Sequence, residues 1–146
     1  MKVYIAARAT TRLEDVKKLQ KKLVEQGYSI SYDWANEDMN IARPYRHQKS
    51  RELNTKAIAK MLGAAAEADV FILLDEAGLR GAYIEYGAYL HEALKNPKNK
   101  KVFIVGPESH QREHIFESPD FVHFVDTIED VYAALTMPKS ASTDSI

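Results

Sequence analysis

Two kinds of apolar pattern alternate along this chain of 146 residues. Short unbroken runs, such as Val70 to Leu74, are typical of strands buried on both faces of a parallel sheet. Longer segments repeat an apolar residue every three or four positions, and this spacing predicts amphipathic helices. The predicted strands cover residues 3–7, 28–32, 70–74, 101–105 and 121–125. The predicted helices run from a Thr10-Thr11 cap to Gly27, from Ser50 to Glu67, from about Ala82 to a turn at Asn96, and from a Thr127 cap to Leu135.

The alternation of strands and helices predicts an α/β fold, a doubly wound three-layer sandwich. We expect a flavodoxin-like or Rossmann-like arrangement, with five parallel strands in the order 2-1-3-4-5. Residues 1–136 are predicted to form one domain. The last residues, 137–146, have the composition of a disordered tail.

Ligands of such folds bind outside the carboxyl ends of the strands, close to the point where the strand order reverses. This rule selects residues that directly follow predicted strands, together with the two glycines of the loop after the third strand. These candidate ligand-binding residues are Ala7, Arg8, Asp33, Trp34, Asp75, Gly78 and Gly81.

Glu85 lies near the start of the helix that follows this glycine-containing loop. The positive end of the helix dipole is expected to keep its carboxylate ionised. A carboxylate beside a strand end, with bare backbone around it, is a plausible nucleophile. The alternative is that Glu85 only complements the helix dipole at the surface.

The tryptophan and the arginines near the predicted ligand-binding edge can each be interpreted in more than one way. Trp34 either stacks on a base or closes a pocket, or it is a half-buried loop residue. Arg8 is the preferred partner for an anionic ligand, and Arg43 belongs to a basic run in the long loop over residues 35–49 that could hold a phosphate. That run could equally be a solvated charged loop.

Three stretches of the sequence resemble nucleoside 2-deoxyribosyltransferases, a superfamily that also contains deoxynucleoside 5′-monophosphate N-glycosidases. They are GAYIEYGAYL at 81–90, KVYIAAR at 2–8 and VFIVGP at 102–107, and the resemblance extends from about Lys2 to Leu135. It implies cleavage or transfer at the N-glycosidic bond of a nucleoside or nucleotide, with Glu85 as nucleophile and Tyr4 as the residue that orients it. It also implies a homo-oligomer.

Two positions depart from the pattern of that superfamily. An aspartate is expected near Met61 and an acidic residue near Leu79, and neither side chain here can ionise. A catalytically silent relative that binds or senses a nucleotide is therefore the alternative function. A glycohydrolase acting on a nicotinamide dinucleotide is a further alternative from the same chemistry.

Composition excludes several other classes of protein. The net charge of −1 argues against a nucleic-acid polymer as the main partner, and the absence of cysteine excludes disulfides and thiolate metal sites. The five histidines show no convincing ligand spacing, and no phosphate-binding glycine motif occurs, so neither a metal nor another cofactor is expected. No segment reads as a signal peptide or membrane span, which predicts a cytoplasmic protein.

Overall fold

The computed structural model of the protein describes residues 1–37, 48–107 and 114–136. Within these ranges the strands are β1 (Lys2–Ala6), β2 (Ser29–Ile30), β3 (Val70–Leu74), β4 (Lys101–Val105) and β5 (Val122–Val125), and the helices are α1 (Ala9–Glu25), α2 (Gln48–Glu67), α3 (Gly81–Lys95) and α4 (Ile128–Thr136). The strands form one parallel sheet in the order β2-β1-β3-β4-β5. The predicted fold class and strand order are confirmed. The predicted tail, 137–146, lies outside the described residues.

The core lies on both faces of β3, whose five residues are all buried. Helix α2 packs along α3, and α1 contacts α4. Right-handed crossovers place these two helix pairs on opposite faces of the sheet. The unbroken apolar run in β3 follows from this arrangement, because a central parallel strand presents both of its faces to helices.

The aromatic residues of α3 fasten that helix to the sheet. Phe71 of β3 lies between the rings of Tyr86 and Tyr89, with centroids 5.7 and 5.3 Å away. The Tyr89 hydroxyl is fully buried and donates to the carbonyl of Asp69 at 2.8 Å, while it accepts from the Lys101 amide at 3.1 Å. One side chain thus joins the starts of β3 and β4 to α3.

The start of α1 differs from the prediction of a threonine cap. The helix begins at Ala9, with Arg8 in extended conformation at the N-cap and no side-chain cap. Since β1 ends at Ala6, only two residues separate strand and helix, and Thr10 and Thr11 already lie in the first turn. The Thr11 hydroxyl donates instead to Glu76 in the β3–α3 loop, at 3.2 Å. This contact joins the start of α1 to that loop.

Two other predictions differ from the structure, one in the length of β2 and one in the burial of α2. Strand β2 has two residues rather than five, because it pairs with β1 only at Ser29 and Ile30 before the chain enters a short 3₁₀ helix at Trp34–Asn36. The apolar face predicted for α2 is not covered at its N-terminal end, where Leu53 is half exposed.

The other predicted caps are confirmed: Gly27 follows α1 at a φ of 93°, and Thr127 and Asp130 form reciprocal hydrogen bonds at the start of α4.

A search of the helices in the described ranges finds none with the length and apolar character that a bilayer crossing requires.

We expect Tyr89→Phe to lower the free energy of unfolding by about 1 kcal/mol, because it removes the hydroxyl bonds to the Asp69 carbonyl and the Lys101 amide. These two main-chain groups then keep only their hydrogen bond to each other, at 3.1 Å. Urea denaturation measures this change. The control is Tyr132→Phe, which removes the same atom from a half-buried ring that keeps its contact with the Lys22 ammonium. Equal stability of the two variants would show that the Tyr89 bridge contributes nothing.

Candidate active site

A cavity of about 500 Å³ opens where the carboxyl end of β1 meets the first turns of α1 and α3. This volume is within the usual range of small-molecule sites. Of the residues predicted from the sequence, those that line it are Tyr4, Ala7, Arg8, Trp34, Gly78, Gly81 and Glu85. The structure therefore brings together candidates that lie up to 81 positions apart in the chain.

Glu85 points from α3 into this cavity and accepts a hydrogen bond from the Tyr4 hydroxyl on its Oε2 atom. Tyr4 stands in β1, where its ring is buried and stacks on Phe71 at a centroid distance of 5.7 Å. A ring held in this way has little freedom, so its hydroxyl is a fixed donor for the carboxylate. Burial and the adjacent Glu85 raise the pKa of Tyr4 well above its usual value, which keeps the hydroxyl protonated.

Burial raises the pKa of Glu85 from 4.5 to about 7, although the Tyr4 hydrogen bond acts in the opposite direction. The helix start was expected to help keep this carboxylate ionised, and burial acts in the opposite direction because it disfavours the charged form. The carboxylate and carboxyl forms of Glu85 coexist around pH 7.

Trp34 forms one wall of the cavity and is held firmly in place. Its indole N–H donates to the carbonyl of Ile5 at 2.7 Å, and the side chain is buried. The 3₁₀ helix that carries it starts at Asp33, whose carboxylate accepts from the Asn36 amide and side chain. Trp34 is thus both a buried residue that fixes a loop and a lining residue of the cavity, and base stacking by it stays a prediction.

Arg8 also lines the cavity and contacts the β3–α3 loop. Its Nη2 atom donates to the carbonyl of Ala77 at 3.2 Å, and its Nε atom lies 3.9 Å from a carboxylate oxygen of Glu76. Gly78 follows at a φ of 84°, and a Cβ atom there would lie 3.1 Å from Arg8 Nη2. The positive φ at 78 favours glycine, whereas a Cβ there would require the Arg8 guanidinium to shift by a few tenths of an ångström.

The sequence analysis missed a second cation in the wall, Arg80, which stands at the N-cap of α3. It also missed that the start of α1, at Ala9 and Thr10, lines the cavity beside the start of α3 at Gly81 and Ala82. The amides in the first turn of a helix have no acceptor within the helix, and they favour anions. No signal in the sequence distinguishes Arg80 from an ordinary solvated cation of a loop.

Met61 and Leu79, where the resemblance leads one to expect acidic residues, both line the cavity. Both positions therefore border the same cavity as Glu85. Among the described lining residues, Glu85 is the only carboxylate, and it faces apolar side chains at 61 and 79.

Two predicted residues that the structure describes are not in this cavity wall. Asp33 is exposed and caps the 3₁₀ helix. Asp75 is buried, accepts from the Tyr83 hydroxyl at 2.9 Å, and lines a neighbouring depression on the other side of Gly78. Arg43 lies outside the described residues. Within the described ranges, no three histidine, aspartate or glutamate side chains are grouped so that they could hold a metal ion.

No protein-family model matches the sequence, and a search of curated proteins finds no relative. Among solved structures, the chain is similar to the CMP N-glycosidase BcmB of Clostridium botulinum. The two are 18% identical, with a TM-score of 0.59, and the match covers 92% of this chain and 97% of BcmB. This comparison shows that the fold, which the sequence resemblance implied, is shared with a nucleotide N-glycosidase.

We expect Tyr4→Phe to raise the pKa of Glu85 above 7, because the variant lacks the donor that stabilises the carboxylate. Carboxyl-carbon NMR over a pH series measures this pKa directly. The control is Tyr86→Phe, since the Tyr86 hydroxyl donates to the carbonyl of Phe116 and not to Glu85. An unchanged or lower pKa in Tyr4→Phe would contradict the assigned hydrogen bond.

The raised pKa of Glu85 also predicts a dependence of stability on pH. The folded protein holds the Glu85 proton more tightly than the unfolded chain, whose glutamate pKa is near 4.5. The contribution of this group is therefore complete below pH 4.5 and is lost as the pH rises through 7, at a cost of up to about 3 kcal/mol. Wild type should lose that much more unfolding free energy than Glu85→Gln between pH 4.5 and 8.5 in urea titrations. Parallel curves for the two proteins would contradict it.

Proposed function

We propose that this protein breaks the N-glycosidic bond of a nucleoside 5′-monophosphate, with Glu85 as the nucleophile. The observation that carries the proposal is the pair formed by Glu85 and Tyr4 inside a cavity of about 500 Å³ at the ligand-binding edge of the sheet. Cleavage of this bond develops positive charge on the sugar, and a carboxylate can stabilise that charge or capture C1′ as an ester.

In the proposed reaction the ionised form of Glu85 attacks C1′ as the bond to the base nitrogen breaks. The base leaves with the bonding electron pair and takes up a proton. Water then attacks C1′, which releases the sugar phosphate and regenerates the carboxylate. An acceptor base in place of water would give transfer. The Tyr4 hydroxyl holds Oε2, so that the carboxylate presents a defined oxygen to the sugar.

The charges of the cavity wall support a phosphorylated substrate over a plain nucleoside. Arg8 and Arg80 both line the cavity, and guanidinium groups match the oxygens of a phosphate. The helix starts of α1 and α3 face the same space and also favour an anion. The fold shared with a CMP N-glycosidase is consistent with this substrate class.

Met61 and Leu79 favour a second candidate, a catalytically silent protein that binds a nucleotide. An acidic group beside the leaving base would donate a proton to it, and the described wall has apolar side chains at these positions. Binding would then use the same arginines and Trp34, without turnover.

The discriminating experiment is a base-release assay over deoxynucleosides, ribonucleosides and their 5′-monophosphates, with and without an acceptor base, followed by chromatography. We expect release from at least one monophosphate and less from its nucleoside. Because the reactive form is the carboxylate, kcat/KM should rise with pH and level off above about 7.

In the same assay, Glu85→Gln should lower the rate by at least about a hundredfold, since it removes the nucleophile but keeps the volume. The matched control is Glu92→Gln, an exposed glutamate of the same helix that pairs with Lys95. If no compound loses its base, yet monophosphates raise the Tm, the silent binding protein is the correct alternative. Equal rates for wild type and Glu85→Gln would reject Glu85 as nucleophile.

A further inference from the structure

Glu76 in the β3–α3 loop lies between the start of α1 and the side chain of Arg8. Its Oε1 atom accepts from the Thr11 hydroxyl at 3.2 Å, and its Oε2 atom lies 3.9 Å from Arg8 Nε. About a third of each of the two charged side chains is exposed. The carboxylate is therefore held by α1 and is close to the guanidinium, but it makes no hydrogen bond to Arg8 through Nε.

This geometry separates the two contacts of Arg8 with the loop. The hydrogen bond to the Ala77 carbonyl fixes the direction of the guanidinium, whereas the attraction to Glu76 is a charge interaction without a directed bond. Removal of the charge at 76 would therefore leave the Arg8 orientation in place. It would change how much positive potential Arg8 offers to the cavity.

Helix α1 has no acidic residue in its own first turn, and its N-cap residue is Arg8. Glu76 therefore supplies, from another element, the negative charge that this helix start and Arg8 would otherwise lack. It does so from outside the cavity, because Glu76 lines the neighbouring depression together with Asp75 and His114. A phosphate in the main cavity would not collide with it.

We propose that Glu76 is an internal counter-anion for Arg8, which competes with the phosphate of an incoming ligand and so sets the anion affinity of the cavity. The inference rests on the proposed function only for the phosphorylated nature of the ligand. It gives a specificity role to Glu76: a monoanion gains little against the resident carboxylate, whereas a phosphate dianion attracts Arg8 more strongly and binds in its presence.

The test is the titration of inorganic phosphate into wild type and Glu76→Gln, with ionic strength held constant by chloride. Glutamine keeps an acceptor for the Thr11 hydroxyl and removes the charge. Fluorescence of Trp34, the only tryptophan and a wall residue, and the rise of Tm with phosphate both report binding. We expect Glu76→Gln to bind phosphate about threefold more tightly, the size expected for a partly exposed ion pair.

Two controls separate competition from a structural effect. Glu67→Gln removes one negative charge that pairs with Lys2 at the opposite edge of the sheet, and it should leave phosphate affinity unchanged. In an Arg8→Ala background, Glu76→Gln should lose its effect, because the competing pair is absent. If Glu76→Gln melts below wild type, Glu76→Ala should still tighten phosphate binding.

Weaker or equal phosphate binding by both Glu76 variants would overturn the inference, as would failure of wild type to bind phosphate at all. Persistence of the gain in the Arg8→Ala background would also overturn it. The base-release assay reports on the proposed function separately: phosphate affinity can respond to Glu76 in a protein that lacks turnover, and turnover can occur where Glu76 has no influence.

Discussion

A carboxylate withdrawn from water is the constraint on which the site of this protein depends. Glu85 is placed in the wall of the cavity by α3, and its pKa rises because the surrounding side chains replace solvent. The one directed interaction that offsets this cost is the hydroxyl of Tyr4, itself immobilised in β1 against Phe71. This hydrogen bond thus joins β1 to α3 at the cavity, and the pKa of Glu85 lies close to neutral pH.

In the described part of the chain, the other charged groups at the cavity wall are the two arginines, and Glu76 lies close to one of them. Two arginines and two helix starts line the cavity, and their positive potential suits an anionic ligand. Glu76 moderates the potential from outside, since it pairs with Arg8 and is held by Thr11. Among the described lining residues, Met61 and Leu79 add apolar surface and no charge. Under the proposed function, this arrangement would bind a phosphorylated sugar and leave one carboxylate to act on it.

The sequence predicted the strands and most of the lining residues of the cavity, but it did not predict the roles of Arg80 and Asp33. Strand order and the buried strand β3 followed from local pattern, because a run of five apolar residues admits few other environments. Seven predicted residues proved to share one cavity wall, since parallel strands deliver their carboxyl ends to one edge. Arg80 was missed because an exposed arginine at a helix start looks like any solvated cation. Asp33 was selected by the same edge rule, yet the structure uses its carboxylate as a cap.

The sequence alone predicted the fold class, the order of the strands and the edge of the sheet at which ligands bind, because periodicity and strand ends are local properties of the chain. The meeting of Glu85 with Tyr4 was implied only by the resemblance to a known superfamily. Only the tertiary structure decided the protonation of Glu85, the pairing of Glu76 with Arg8 and the convergence of two helix starts on one cavity. These depend on desolvation and on distances between residues far apart in the chain. Such quantities exist only after the layers have packed, so no pattern of residue types could specify them in advance.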